Sequence, residues 1–251
     1  MSGHSKWASI KHKKGALDAK RGQVFSKIVR EISVAARGGG GDPDSNPQLR
    51  GVIVKAKAVN MPADNIEKAI KKGTGELPGV AYEEVSYEGY GPGGVAIMVN
   101  CLSDNKNRTA SEIRNIFDKK NGHMGGAGSV AWNFIKRGMI TVDKKVTDEE
   151  RLFSIAIEAG AEDFSAEEKD VFEIYTAPDE LEEVKRALDV KGIKYSVAEI
   201  ALVPKSTIRV TGKEAHHLLE LMGELEDHDD VQSVSSNFDI PDEILEEVEK
   251  K

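Results

Sequence analysis

The chain has 251 residues, 39% of them hydrophobic and 31% charged, with a net charge of −8. That length holds one large domain or two to three small ones, each with its own core, and the composition is that of a folded soluble protein rather than a disordered one. It excludes a membrane span, a secretory signal and an intrachain disulfide framework: no apolar run is long enough, the basic first residues lack an apolar segment, and Cys101 is the one cysteine.

A cytoplasmic location is the expectation. The net charge hides a division. Of the 35 Lys and Arg, 15 lie before Glu76, against only 6 of the 43 Asp and Glu. A cationic module on an anionic body can bind a polyanion at one end and repel it at the other.

Residues Gly3 to Ala16 are polar and basic without apolar period and read as an extended arm. A helical pattern begins at Leu17. Val24, Phe25, Ile28, Ile32 and Ala35 share one arc at 100° per residue, with Lys27, Arg30 and Arg37 opposite and Lys20 at its edge. Arg21 falls on the apolar arc and Val34 among the cations. Gly38 to Gly41 stop this helix. Asn46 before Pro47 caps a second, with the stripe Leu49, Val52, Ile53, Ala56 and Val59. Asn60-Met61-Pro62 introduces a third, with Ile66, Ala69 and Ile70 inward and Gly73 as its stop. The three helices form a small helical domain.

Strands follow over Glu84 to Tyr90 and Gly94 to Leu102, joined by the YGPGG turn. Ser103 or Asp104 caps a helix to Lys120. A Gly-rich loop, Asn121 to Gly128, then leads to a strand through Val130, Trp132 and Phe134. From Met139 to Leu202 the order is strand, helix, strand, helix, strand. A Thr147/Glu150 capping box starts the first of these helices and Pro178 opens the second. With a further short strand just before Val171, this is a ferredoxin-like βαββαβ unit. Strand, helix, strand and an acidic helix from Pro241 close the chain. The segments flanking the βαββαβ unit each lack partners that the other supplies. The fold class is therefore α+β: a three-helix domain (1–79), a discontinuous α+β domain (80–137 plus 204–251), and a ferredoxin-like domain (138–203) inserted into it.

With these residues in view, the chain resembles the YebC family. The likeness rests on GHSKWASIKHKKGALDAKRGQVFSKIVREI, NMPADNIEKAIKKGTGE, YEGYGPGG, NKNRTASEIRNIF and GSVAWNF, and it covers essentially the whole chain. The resemblance implies three domains and no enzymatic activity. Bacterial members are described as probable transcriptional regulators that bind DNA, a mitochondrial relative as a translational activator, and bacterial members are also tied to relief of ribosome stalling. The implied partner is thus DNA, or ribosomal RNA or tRNA with the ribosome itself.

The residues point the same way. Lys6, Lys11, Lys13, Lys14, Lys20 and Arg21 are closely spaced cations able to displace counterions from phosphates. His4 and His12 add donors, and Trp7 can stack on an unpaired base. Lys27, Arg30 and Arg37 extend the positive face. Lys55, Lys57, Lys68, Lys71 and Lys72 either continue it or are ordinary solvated lysines. Lys106 and Arg108, in NKNRT at a strand-to-helix junction, can hold a phosphate, with the HMGGAGS loop (His123 to Ser129) as a neighbouring contact surface. The connection after the first helix is too long and Gly-rich for a helix-turn-helix, so backbone contact is favoured over base readout. Neither Gly-rich loop has P-loop or dinucleotide-fingerprint spacing. Adjacent His216 and His217 diverge on a helix and cannot share a metal. Cys101 reads as buried filler, and Glu226, Asp227, Asp229 and Asp230 read as a solvated face. The expectation is no catalytic residue, no metal, no cofactor, no small-molecule substrate and no membrane partner.

Overall fold

A computed structural model describes residues 18–249, apart from the side chains of residues 18–21, 246, 248 and 249. The first helix, α1 (Asp18–Gly39), is the axis on which α2 (Pro47–Ala58) and α3 (Ala63–Thr74) both pack. Ile28, Ile32, Ala35 and Ala36 of α1 meet Leu49, Ala56, Ile66 and Ala69 in a closed aliphatic core.

Asn46 does cap α2: its Oδ1 accepts from Leu49 N at 3.0 Å. Its Nδ2 also donates to the carbonyls of Ala35 and Gly40, tying the Gly-rich exit of α1 to the start of α2.

Asn60-Met61-Pro62 does introduce α3, with Pro62 at its cap, and Asn60 turns the chain out of α2 in the left-handed region, φ 57°. The reading of Gly73 changes: it does not end α3. It lies inside the helix where a Cβ would overlap the Ser33 carbonyl oxygen and sit 2.8 Å from the Ala36 Cβ. The stop is Gly75, at φ 84°.

The next unit is a four-stranded sheet in the order β3-β1-β2-β9: β1 (Glu83–Tyr90), β2 (Ala96–Ser103), β3 (His123–Met124) and β9 (Val231–Ser236). Helices α4 (Lys106–Lys119) and α7 (Gly212–Asp227) cover it, with Ile97, Val99, Ile113, Phe117, Leu218 and Met222 in the shared core. Strand β9 comes from far along the chain yet pairs antiparallel with β2, from Ile97↔Ser236 to Cys101↔Val231. Two short strands, β8 (Ile208–Arg209) and β10 (Phe238–Asp239), pair parallel beside it, and α8 (Asp242–Glu249) closes the chain.

Between them, β4 (Phe134–Asp143), α5 (Glu149–Glu158), β5 (Asp163–Ser165), β6 (Val171–Thr176), α6 (Leu181–Val190) and β7 (Val197–Pro204) form a second sheet in the order β5-β6-β4-β7, antiparallel throughout. That is the expected ferredoxin-like order, with β5 supplying the extra strand. Both helices lie on one face, against Ile140, Val142, Phe172 and Ile174.

Several boundaries move for local chemical reasons. Asn105, rather than Ser103 or Asp104, caps α4 by accepting from Arg108 N at 3.1 Å, and Ser103 Oγ accepts from Asn105 N at 2.9 Å. Asp148 outcompetes the Thr147/Glu150 box by accepting from Arg151 N at 2.9 Å. Pro178 sits in a turn ahead of α6. The strand expected through Val130 and Trp132 is a 3-10 turn, Ala131–Asn133, because a buried carboxylate gathers its amides: Glu88 accepts from Gly128, Val130 and Ala131 N at 2.7, 2.7 and 2.9 Å.

Candidate nucleic-acid interface

Asp230 closes the loop between α7 and β9 and is buried, 2% exposed. The structure thus corrects the reading of Asp230 as part of a solvated face with Glu226, Asp227 and Asp229; Asp227 and Asp229 are exposed as expected. Asp230 Oδ1 accepts from Arg30 at 2.9 Å, and Oδ2 accepts from Arg108 at 2.9 Å and from the Thr109 hydroxyl at 2.6 Å. Arg30 also donates to the Asp229 carbonyl and stands 5.4 Å from the Tyr82 ring centroid. Lys27 donates to the Glu226 carbonyl at 2.6 Å. One helix turn on α1 and the first turn of α4 therefore converge on one loop.

A buried carboxylate is tolerated only when its oxygens are matched by donors and charge. Burial pushes the Asp230 carboxyl up, but the Thr109 and Arg108 hydrogen bonds and the charges of Arg30 and Arg108 outweigh it, holding Asp230 below its ordinary range. The Asp230 and Asp104 hydrogen bonds in turn raise Arg108. The hydroxyls align as a chain: Asn105 N donates to Ser103 Oγ, Ser103 meets Thr109 at 2.6 Å, and Thr109 donates to Asp230.

Glu112, His228 and Asp230 lie close enough to suggest metal ligation. Their hydrogen bonds argue otherwise. His228 Nδ1 accepts from Asp230 N at 3.1 Å, which leaves the proton on Nε2, 3.0 Å from Glu112. The cluster is an ion-pair hub.

Of the sequence-predicted contacts, His4, Lys6, Trp7, Lys11, His12, Lys13 and Lys14 lie outside the described residues. Lys20 and Arg21 stand near the start of α1, with side chains outside the described set. Lys27 and Arg30 were expected on a face open to phosphate; that face of α1 meets the body of the protein. Arg108 and Thr109 do hold an anion, and it is the protein's own carboxylate. Lys106 pairs with Glu83 at 2.5 Å in the open, which draws the Glu83 carboxyl down.

Exposed on the helical module and without an ion pair among the described residues are Arg37, Arg50, Lys57, Lys68 and Lys72, Arg50 donating to the Pro43 and Asp44 carbonyls. On α3, Lys68 and Lys72 project away from the buried Ile66, Ala69 and Gly73. The α2–α3 connection, Val59 to Pro62, has the four-residue length of a helix-turn-helix turn, though both helices pack on α1.

The HMGGAGS loop is fixed from below by Glu88. Burial raises that carboxyl, and the three backbone N–H bonds more than reverse the effect, leaving it below its ordinary value. Trp132 on the far side of the loop is 65% exposed, with its indole N–H on the Ser129 carbonyl at 3.0 Å. Sequence reasoning missed Glu88, Asp230 and Tyr82. Glu88, one of three Glu in the EEVSYEGY strand, gave the one signal available, since alternation turns it to the same face as Ser86 and Tyr90. Cys101 is buried and its thiol pushed up to about 12, first by desolvation and then by Asp230, so it is no nucleophile.

Two family models match this chain: the TACO1/YebC protein N-terminal domain over residues 5–76 and the TACO1/YebC second and third domain over 82–238. Proteins named probable transcriptional regulatory protein are close in sequence. The one from Desulforapulum autotrophicum is 56% identical over 98% of this chain and 99% of its own. That of Dictyoglomus turgidum is 58% identical over the same shares, and that of Geobacter sulfurreducens 55% identical over 99% and 100%. The crystal structure of a conserved hypothetical protein from Aquifex aeolicus superimposes with a TM-score of 0.85, at 50% identity over 96% of this chain and 99% of that one.

Proposed function

The chain belongs to the TACO1/YebC family, and from that premise we propose that it is a non-enzymatic regulator of gene expression that binds nucleic acid through its basic arm and helical module. The observation carrying this reading is the charge division. The first 75 residues carry 15 Lys and Arg against 6 Asp and Glu, and Arg37, Lys57, Lys68 and Lys72 stand exposed on the helical module. The acidic remainder repels a polyanion and confines it to that end.

Contact is dominated by phosphates: Lys6, Lys11, Lys13, Lys14, Lys20 and Arg21 supply charge, Trp7 a stacking surface, and Lys68 and Lys72 a second row. The relatives' name, probable transcriptional regulatory protein, supports a role in transcription, for which DNA is the natural target. The four-residue turn before α3 favours the same reading, because it lets α3 be presented as a unit. RNA, on the ribosome, is the second reading; the long Gly-rich link between α1 and α2 favours backbone contact without base readout.

Mobility shift of promoter fragments under competitor DNA, beside co-sedimentation with ribosomes at low and high salt, separates the two. Selective retention of promoter DNA supports the first and salt-sensitive ribosome binding the second; absence of both at physiological salt defeats the proposal. Changing Lys11, Lys13, Lys14, Lys68 and Lys72 to Glu is expected to reduce the magnitude of the slope of log K against log salt by about 4.5, at roughly 0.9 per phosphate contact.

A further inference from the structure

Among the described Phe, Tyr and Trp residues, Trp132 is the most exposed, at 65%. It is held nonetheless. Its indole N–H donates to the Ser129 carbonyl at 3.0 Å, and the same oxygen accepts from the Tyr90 hydroxyl at 2.8 Å. The Tyr90 ring in turn stacks on His123, with centroids 5.3 Å apart and 27° between the planes. Glu88 fixes the amides of the loop between them. Indole, phenol and imidazole are thus one preorganised series, which keeps the ordering cost of binding low. Tyr90 and His123 also line an open cleft of 760 Å³, shared with the YGPGG turn, Asn121, and Glu214 and His217 of α7.

The charge around these rings departs from that of the acidic body. Residues 119–142 hold Lys119, Lys120, Lys136 and Arg137 and no Asp or Glu. Lys120 is paired with Glu220 and Glu224, and Arg137 lies 3.9 and 3.8 Å from Glu162 and Asp163. Lys119 and Lys136 are exposed and make no ion pair among the described residues. The same holds for Lys205, which is brought beside the Trp132 turn by its backbone N–H bond to the Asn133 carbonyl at 2.7 Å. The one carboxylate lining the cleft is Glu214.

An exposed, fixed ring beside unpaired lysines matches a strand whose bases are free to stack and whose backbone is anionic. A duplex keeps its bases paired and stacked, whereas loops of RNA offer them unpaired. We propose that Trp132 and His123, joined through Tyr90, form a stacking platform for unpaired bases of RNA, with Lys136 and Lys205 on the phosphates and Asn121 and Glu214 facing base edges in the cleft. The platform rests on the nucleic-acid reading and takes its RNA form. It adds a second contact, away from the basic arm and the helical module, at the one interruption in a body that otherwise repels the strand.

The test uses the full-length protein with a fluorescein-labelled single-stranded RNA of about twelve nucleotides, the same sequence as an RNA duplex, and the same sequence as single-stranded DNA. Anisotropy is expected to show Trp132→Ala weakening single-stranded RNA binding about 5- to 150-fold, the range for losing one base stack, with Trp132→Phe restoring most of it. No cation is removed, so the slope of log K against log salt should keep its wild-type value. The chain has two tryptophans, Trp7 and Trp132; in a Trp7→Phe background the RNA should quench the emission of Trp132. If the wild type binds the RNA and Trp132→Ala binds it equally well, the platform is refuted while the nucleic-acid reading stands. If the wild type binds none of the three probes, that reading falls and the platform with it. An equal loss on single strand and duplex would mark an effect other than stacking, and a loss on single-stranded DNA alone would make DNA the occupant; either result overturns the proposal.

Discussion

Replacing Asp230 by Ala isolates the clamp between the helical module and the sheet behind it. Asp230 is 4% exposed at its side chain and Arg30 16%, so that pair is largely removed from solvent, whereas Arg108 is 43% exposed and screened. Truncating one partner of a buried pair costs about 3–5 kcal/mol when the other charge is stranded. Arg30 keeps the Asp229 carbonyl and the Tyr82 ring, so the lower end, about 3 kcal/mol, is the expected loss. For a chain this size that corresponds to roughly 6–12 °C in Tm if unfolding is one transition. The loss should be local in origin: amide exchange is expected to rise first in α1 around Lys27 to Glu31 and in the loop after α7. Urea denaturation and hydrogen exchange by mass spectrometry read both, and a double-mutant cycle with Arg30→Ala isolates the pair. A loss below about 1 kcal/mol, the range of a surface pair, with unchanged exchange in α1 would refute the clamp.

Three further outcomes follow from the same geometry. Asn46→Ala removes a helix cap and two tethers to the exit of α1, and urea melts should show a loss of about 2 kcal/mol, above that of an ordinary cap. Gly73→Ala forces α3 off the Ser33 carbonyl and should cost about 1–3 kcal/mol, although the same change in an open helix would stabilise it. Asp230 and Glu88 both sit below their ordinary values in the folded state, so their stabilisation is fully present above the unfolded values of about 3.9 and 4.3. Urea midpoints should therefore hold level from pH 7 to 5 on their account and fall as pH drops below about 4, less steeply in Glu88→Gln.

Much of the scaffold was legible because it rests on periodicity. The stripe from Val24 to Ala35, the alternation in β6 and the Asn46-Pro47 start each follow from local chemistry and stand where expected. The ferredoxin-like order also followed, since five of its elements announce themselves and β5 had room. Misplacements came where tertiary structure overrides local signal. Gly73 resembles a helix stop, yet its missing Cβ serves contact with a helix some forty residues earlier. Val130 and Trp132 alternate like a strand, but Glu88 captures the amides such a strand would need. The largest gap was electrostatic. Arg30, Arg108 and Asp230 each look like surface charge by sequence, and nothing local says that they meet. Counting charges located the cationic end and could not tell a cation facing solvent from one neutralised within the protein.

Strand β9 has a temporal consequence. Its place beside β2 stays empty until the ribosome has added roughly 130 more residues, about 6–26 s at ordinary elongation rates. During that interval β2 is an unprotected edge carrying Ile97, Val99 and Cys101, the sort of template on which nascent chains pair wrongly. The intervening segment shortens the hazard by closing on itself: β4 and β7 zip from Phe134↔Pro204 to Thr141↔Val197, and Lys205 N then donates to the Asn133 carbonyl at 2.7 Å. The polypeptide that emerges next is delivered where it left off. The order in which the chain is made thus becomes a safeguard for the order in which it folds.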